Sequence, residues 1–309
     1  MESGYVTVVG AVNVDIVGKS QKPLLMGDSN PGSVSVSLGG VGRNIADNLR
    51  RLGASVRMVT ALGGDVYAQK VREECAKQSI DLSLSLTAEG ENTSVYLCIH
   101  DSDGTMRLAV SDMDICRHIS PDFLMERMGE INRSRLVVMD ANLQQEAAAC
   151  LADHCTVPLF ADPVSVAKAA RLKSCLHGIT CIKPNVREAE VLTGIAIRND
   201  GDLQRAASTL HEMGVKTVFI SLGARGAYFD GGGDRGILPC YPGEIVNTTG
   251  CGDAFLAAAA YGHLMGRKID EMAQMGLAAA SLCAASEGAV REDLTLALVE
   301  RKMLGGGKI

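Results

Sequence analysis

Short apolar runs at 136–139, 157–161, 179–182 and 218–221 are separated by stretches with helical spacing, near 144–153, 165–175, 187–193 and 201–213, and a further such stretch at 121–132 precedes them. Runs that are continuously apolar mark strands buried on both faces, and their alternation with helices predicts a parallel sheet with helices on both sides. The run 5–12 is another such strand. It ends on Asn13-Val-Asp15, and polar groups just past strand ends are where open α/β sheets hold ligands. A strand at 55–62 and a helix at 65–78 continue the pattern.

Elsewhere the period changes to two. Residues 33–38 alternate, as do 93–99 and 106–110, which Asp101-Ser-Asp-Gly104 joins as a hairpin. These pieces predict a small β lid, residues 16–38 and 93–110, inserted into a main α/β domain made of 1–15, 39–92 and 111–304. Glycine-rich 231–235 is flanked by a hairpin, 226–230 with 236–240. A strand is expected at 243–246, Ala-rich helices at 254–266 and 270–287, another helix from 294, and a frayed tail at 305–309.

At 309 residues the chain accommodates one large α/β domain with a small appendage. Trp is absent and aromatics are only 4%, so the core must be aliphatic. The net charge of −6, with no basic run, excludes nucleic acid as a direct partner. Ten cysteines without a C-x-x-C pair read as reduced thiols of a cytoplasmic protein, and the six histidines have no zinc spacing. No leader or membrane-length apolar run is expected to direct the chain elsewhere.

The chemistry concentrates in Asn247-Thr-Thr-Gly-Cys-Gly-Asp253, which opens the first Ala-rich helix. Gly250 and Gly252 permit a tight turn that presents the N–H groups of Gly250, Cys251 and Gly252 at a helix N-terminus, a ready anion site. Asp253 in the same turn sets a proton acceptor beside that cradle, an arrangement suited to phosphoryl transfer. Asp253 as ordinary charge compensation of a helix N-terminus fits the same pattern. No G-x-x-x-x-G-K-[ST] occurs, and no G-x-G-x-x-G follows the first strand, so phosphate binding must use another geometry.

Gly39-Gly40 with Asn44, Asn185-x-x-Glu188, Ser221-Leu-Gly-Ala-Arg-Gly226, Thr249-Gly-Cys-Gly-Asp253 and Gly288-Ala289 follow one another as in the ribokinase-like (PfkB-type) sugar kinases, which the chain resembles from Val8 to Ala289. Within them it is most similar to those acting on pseudouridine, through residues 39–46, Ser111-Asp-Met-Asp-Ile115, Asp162-Pro-Val-Ser165 with Lys168, and residues 183–190. The family's usual Asp before the glycine turn is Asn247 here, as in that subgroup, and Cys251 replaces a usual Ala.

The resemblance implies a three-layer α/β sandwich with a mostly parallel central sheet and a β lid. It implies ATP-dependent, Mg²⁺-requiring phosphorylation of the 5′-hydroxyl of a ribosyl nucleoside, with ribose, adenosine or another nucleoside as alternative acceptors, and a ligand-binding protein without catalysis as the distant rival. Asp253 would be the general base. Asn13, Asp15, Gly39, Gly40 and Asn44 would hold the sugar, while Ser111, Asp112 and Met113 at the lid exit would contact base or ribose. Arg43 reads equally as a helix-face charge or a phosphate ligand. Asn185 and Glu188 would position Mg²⁺, although their spacing is also that of a capping box. Ser221, Gly223 and Gly226 would form the nucleotide turn, and Ala279, Cys283 and Gly288 would flank adenine. Ser165 and Lys168 would reach the nucleotide phosphates; a solvated helix lysine and an Ala279 that only packs helices fit as well. A lid-to-lid homodimer and a K⁺ site near the cradle are implied by resemblance alone.

Overall fold

The computed structural model describes residues 4–305; the end of the expected tail, 306–309, lies outside them. In chain order the elements are β1 (Tyr5–Val9), β2 (Asn13–Ser20), β3 (Gly32–Gly39), α1 (Val41–Arg51), β4 (Ser55–Val59), β5 (Ala61–Gly63), α2 (Val66–Lys77), β6 (Ile80–Asp81), β7 (Leu86–Ala88), β8 (Val95–His100) and β9 (Met106–Asp112). There follow α3 (Pro121–Ile131), β10 (Leu136–Asp140), α4 (Gln145–His154), β11 (Leu159–Asp162), α5 (Val166–Ala169), β12 (Cys181–Ile182), α6 (Val186–Thr193), α7 (Asp200–Glu212), β13 (Thr217–Ser221), β14 (Ala227–Gly231) and β15 (Asp234–Leu238). Three helices close the chain: α8 (Cys251–Leu264), α9 (Ile269–Ala284) and α10 (Leu296–Met303).

A nine-stranded sheet runs in the order β15-β14-β13-β12-β11-β10-β1-β4-β6. Every pairing from β6 through β13 is parallel, and the β14–β15 hairpin closes one edge antiparallel. Two separate apolar clusters cover its faces, one including α1, α8 and α9 residues and the other α3, α4 and α7 residues. Ala257, Ala258, Ala259 and Ala260 are wholly buried in α8. Small residues there let the helix approach its neighbours closely, so the core is dense without tryptophan.

The lid is a distinct sheet in the order β3-β2-β8-β9. It begins earlier and ends later than the alternation predicted, because Asn13 already pairs with Gly39 and Asp112 with Val95. Its two faces differ. Ser37, Asp15, Tyr96 and Ser111 lie opposite one another in one row, while Val36, Ile16, Leu97 and Val110 form the next, on the other face.

Two expected strands are not formed as predicted. Residues 55–62 divide into β4 and β5, which belong to different sheets, because Thr60 turns aside to bond Leu86 N–H and the Ser85 hydroxyl. Residues 243–246 form no strand: Val246 and Asn247 N–H both bond the Ala284 carbonyl at the end of α9, and Ile245 is 71% exposed. The apolar pair Ile245-Val246 predicts a strand, but the carbonyl this segment caps belongs to a helix. The helix expected over 165–175 is short, with the 3₁₀ stretch Ala170–Gly178 taking over.

Candidate active site

The site is assembled where α8 begins. Gly250 precedes the helix at φ 81°, and a Cβ there would overlap the Ala289 carbonyl, so only glycine can make this turn. A side chain on Gly252 would meet Lys183 Nζ at 3.2 Å. Asp253, third residue of the helix and 8% exposed, sits at the helix N-terminus near a buried ammonium, where the Cys251 N–H is already given to the Thr248 carbonyl. Its Oδ2 accepts a 2.8 Å hydrogen bond from Asn44 Nδ2 on α1.

Burial drives the Asp253 carboxyl up, and the carboxylates of Asp162 and Asp140 push it further; Asn44 and Lys183 oppose them, leaving it pushed up to about 8. A base poised near neutrality is suited to taking a proton from an alcohol and yielding it later.

Of the sugar candidates Asn44 touches Asp253, while Asn13, Asp15 and Gly39 meet one another at the base of the lid. Asn13 Nδ2 donates to Asp15 Oδ1 at 2.5 Å, and a Cβ on Gly39 would occupy the Asp15 carboxylate, so that glycine clears space for the acid. Gly40, at φ 99°, is the cap of α1, whose first turn is fastened from behind. Asp140 Oδ2 accepts from Gly42 N at 2.7 Å and Ala11 N at 3.0 Å. Arg43 is spoken for locally, bonding Asn44 Oδ1, the Leu38 carbonyl and Asp47.

Asn185 and Glu188 do form the reciprocal capping box: Glu188 Oε2 accepts from Asn185 N at 2.8 Å, and Asn185 Oδ1 from Glu188 N at 3.0 Å. Glu188 is nevertheless 4% exposed, its carboxyl raised first by burial, and it shares the neighbourhood of Lys183 with Asp162. Lys183 Nζ is 3.2 Å from Asp162 Oδ2. Burial alone would lower this ammonium, but Asp162, Glu188 and Asp253 together raise it. Because Mg²⁺ asks for one or two carboxylates and completes its shell with phosphate and water, Glu188 and Asp162 fit it.

A cavity of about 590 Å³ extends from this end, large enough for a nucleoside triphosphate. Ser221, Gly223 and Gly226 line it, with Cys251 and Gly252 at the cradle. Ala279, Cys283 and Gly288 do not. The α9 face on the cavity is Leu277, Ala280, Ser281 and Ala284, spaced i, i+3, i+4 and i+7, whereas Ala279 and Cys283 are buried in the core. Ser165 and Lys168 are also absent from this cavity. Lys168 instead lines a separate one with Ser111, Asp112 and Met113, because Val164, at φ 66°, turns the chain after β11 and Ser165 caps α5.

Sequence reasoning passed over Lys183, Asp162 and Asp140 as site groups. Their signal was present: each charge closes or follows an apolar parallel strand, Leu136–Asp140, Leu159–Asp162 or Cys181–Ile182, at the ligand-binding edge. Among the described residues no helix is long and apolar enough to cross a membrane, and no cluster of three or more His, Cys, Asp or Glu is placed to hold a metal.

Residues 3–295 match the profile of the pfkB family carbohydrate kinases. The chain is 35% identical to the pseudouridine kinase of Escherichia coli K12, over 96% of each chain, and 28% identical to the ribokinase of Haemophilus influenzae, over 92% of this chain and 93% of that one. Among solved structures, a putative sugar kinase from Clostridium perfringens superposes with a TM-score of 0.87 at 30% identity, covering 98% of this chain and 96% of that one. Arabidopsis thaliana ribokinase complexed with ribose and ATP gives 0.86 at 23% identity, covering 97% and 98%, a likeness of fold. The chain belongs to the pfkB family of carbohydrate kinases and is a kinase of the sugar and nucleoside type.

Proposed function

We propose that this kinase phosphorylates the 5′-hydroxyl of pseudouridine. The observation that carries the reading is the buried Asp253 carboxylate, held by Asn44 and adjoining Gly252 of the cavity lining. The likeness to the E. coli pseudouridine kinase supports the choice of acceptor.

In this mechanism Asp15 accepts from the vicinal ribose hydroxyls and Asn13 orients Asp15. Asp253 takes the 5′-hydroxyl proton as that oxygen bonds the γ-phosphorus; the bond from phosphorus to the bridging oxygen breaks, and ADP leaves. The N–H groups of Gly250 and Gly252 meet the charge that builds on the transferring phosphoryl oxygens, while that of Cys251, expected to join them, is taken by the Thr248 carbonyl. Glu188 with Asp162 would hold Mg²⁺, which when bound would supply charge neutralisation on the phosphates. The lid excludes water, the competing acceptor.

The same reading includes a homodimer through the apolar lid face. Val34, Val36, Leu108 and Val110 are 72%, 43%, 56% and 54% exposed there, more apolar surface than a lone sheet normally leaves in water. The division into main domain and lid, K⁺ near the cradle and a cytoplasmic site of action complete the proposal.

The test is a panel of pseudouridine, uridine, ribose and adenosine with ATP and Mg²⁺, scored for phosphate transfer. Transfer to ribose or adenosine but not to pseudouridine rejects the acceptor, and transfer to none rejects catalysis.

A further inference from the structure

Three of the ten thiols gather at the nucleotide end of the molecule. Cys251, the first residue of α8, and the exposed Cys240 line the cavity of about 590 Å³. Cys283, in the last turn of α9, is 1% exposed and hydrogen-bonded side chain to side chain with Cys251. Main-chain bonds fix the register that brings the two sulfurs together. The Val246 and Asn247 N–H groups bond the Ala284 carbonyl at 2.8 and 3.1 Å, and Asn247 Nδ2 donates to the Glu287 carbonyl at 2.8 Å. Cys283 Sγ also lies 3.7 Å from the Thr249 carbonyl and 3.4 Å from that of Ala289, and Cys251 Sγ lies 3.9 Å from that of Asn247. The pair is thus enclosed by the turn that shapes the anion cradle, since the Ala289 carbonyl is the group that confines Gly250.

The two thiols are not equivalent. Burial pushes the Cys75 and Cys116 thiols up to about 11 and about 12 and raises Cys240 as well. Cys251 is instead lowered, because the Cys283 thiol donates to it, with burial opposing. Cys283 is raised by the same bond and then by burial. An acidic thiol facing an open cavity, with a protonated thiol against it, is the arrangement of an attacking and a resolving sulfur. Cys240 is turned elsewhere, its Sγ donating to the Gly223 carbonyl at 3.3 Å.

We propose that Cys251 and Cys283 are a modification site: a hydroperoxide entering the nucleotide cavity oxidises them to a disulfide that distorts the anion cradle. The Cys251 sulfur attacks a peroxide oxygen, the O–O bond breaks, and Cys251 becomes a sulfenic acid while hydroxide leaves and recovers from solvent the proton that Cys251 gave up. The Cys283 sulfur then attacks the Cys251 sulfur; the S–O bond breaks, and that oxygen leaves as water with the Cys283 proton. With hydrogen peroxide, one oxidant is consumed and two waters are released. A disulfide holds its sulfurs at about 2.0 Å, closer than hydrogen-bonded thiols stand, so forming it draws the first turn of α8 toward α9 and pulls Cys283 from the Thr249 and Ala289 carbonyls. Gly250 and Gly252 flank Cys251 and must move with it. A triphosphate seated on the cradle would cover Cys251, so nucleotide protects the pair.

The reduced full chain is treated with hydrogen peroxide, with and without ADP and Mg²⁺; free thiols are then alkylated and the unreduced peptides mapped by mass spectrometry. The kinase rate is read before treatment, after it, and after dithiothreitol. A cross-link between Cys251 and Cys283 should appear with a loss of rate of about 10–100-fold, as a misplacement of about 1 Å at the reacting groups would cause, and dithiothreitol should restore the rate. ADP should slow both changes. Measured against its own untreated rate, Cys251→Ala should resist the oxidant. Cys283→Ala should be inactivated without recovery, because no partner stops Cys251 short of sulfinic acid. Two free thiols after treatment, a cross-link from Cys251 to Cys240, a cross-link without loss of rate, or an equal reversible loss in Cys251→Ala overturns the assignment. Only the rate measurements rest on the kinase reading: the cross-link in a chain that phosphorylates no acceptor rejects that reading and leaves the dithiol, and an active kinase without the cross-link does the reverse.

Discussion

Asn44 Nδ2 and Asp253 Oδ2, 209 residues apart in the chain, are joined by a buried 2.8 Å hydrogen bond. It ties the loop that leads out of the lid, through α1, to the first turn of α8, where the anion cradle lies. One amide thus orients the proposed base and sits among the groups proposed to hold the sugar. In the proposed mechanism the same contact positions the acceptor hydroxyl and its proton acceptor.

Asp253→Asn keeps the shape of that contact and removes the base. General-base catalysis contributes on the order of 10²–10⁴-fold, so kcat should fall by about that factor while KM for the nucleoside changes by no more than about threefold. Steady-state kinetics decide it. A kcat within tenfold of the unaltered enzyme means that the carboxylate is not the base.

The pH profile follows from the raised carboxyl. Asp253 must be ionised to accept a proton, and burial with neighbouring carboxylates pushes it up to about 8. Activity of the free enzyme should therefore fall as pH drops below about 8, well above the range of an ordinary carboxylate. Asn44 holds the carboxyl down, so Asn44→Leu should move that acid limb upward in addition to weakening sugar binding. An acid limb left near pH 4 in both proteins contradicts this.

The sheet was legible because each strand from Leu136–Asp140 to Thr217–Ser221 is a continuous apolar run bounded by helical spacing. The lid was legible through its change of period. Details failed where a side chain or a carbonyl decided the outcome at a distance. Nothing local in residues 243–246 says that Ala284 O is waiting for their N–H groups, and nothing local separates Ala279 from Ala280, one in the core and one on the cavity. Lys168, expected at the nucleotide phosphates, lines a separate cavity past a valine with positive φ, a conformation that valine does not advertise.

Glu188 separates a structural role from a metal role by a single substitution. In Glu188→Gln the amide oxygen can still accept from Asn185 N–H, so the capping box survives and stability should change by less than about 1 kcal/mol. The lost charge should raise the Mg²⁺ concentration for half-maximal rate by about tenfold. Thermal unfolding and a Mg²⁺ titration of the rate measure the two separately; an unaltered titration would mean that the residue is only a cap.

The buried carboxylate proposed as the base should weaken the empty protein. Asp253 is raised when folded and near 4 when unfolded, so between about pH 4 and 8 the native state binds a proton that the unfolded chain does not. Its contribution to stability is therefore present at the acidic end of that window and is lost as pH rises through it. Asp253→Asn carries no such charge and can still accept from Asn44 through its amide oxygen. Without ligands the variant should melt a few degrees higher than the unaltered chain at pH 8–9, a gain of about 1–2 kcal/mol, with the difference shrinking toward pH 5. Calorimetric scans at several pH values measure it. A variant that melts lower at every pH would mean that Asn44 and Lys183 already compensate the carboxylate, and that the site stores no strain in its charge.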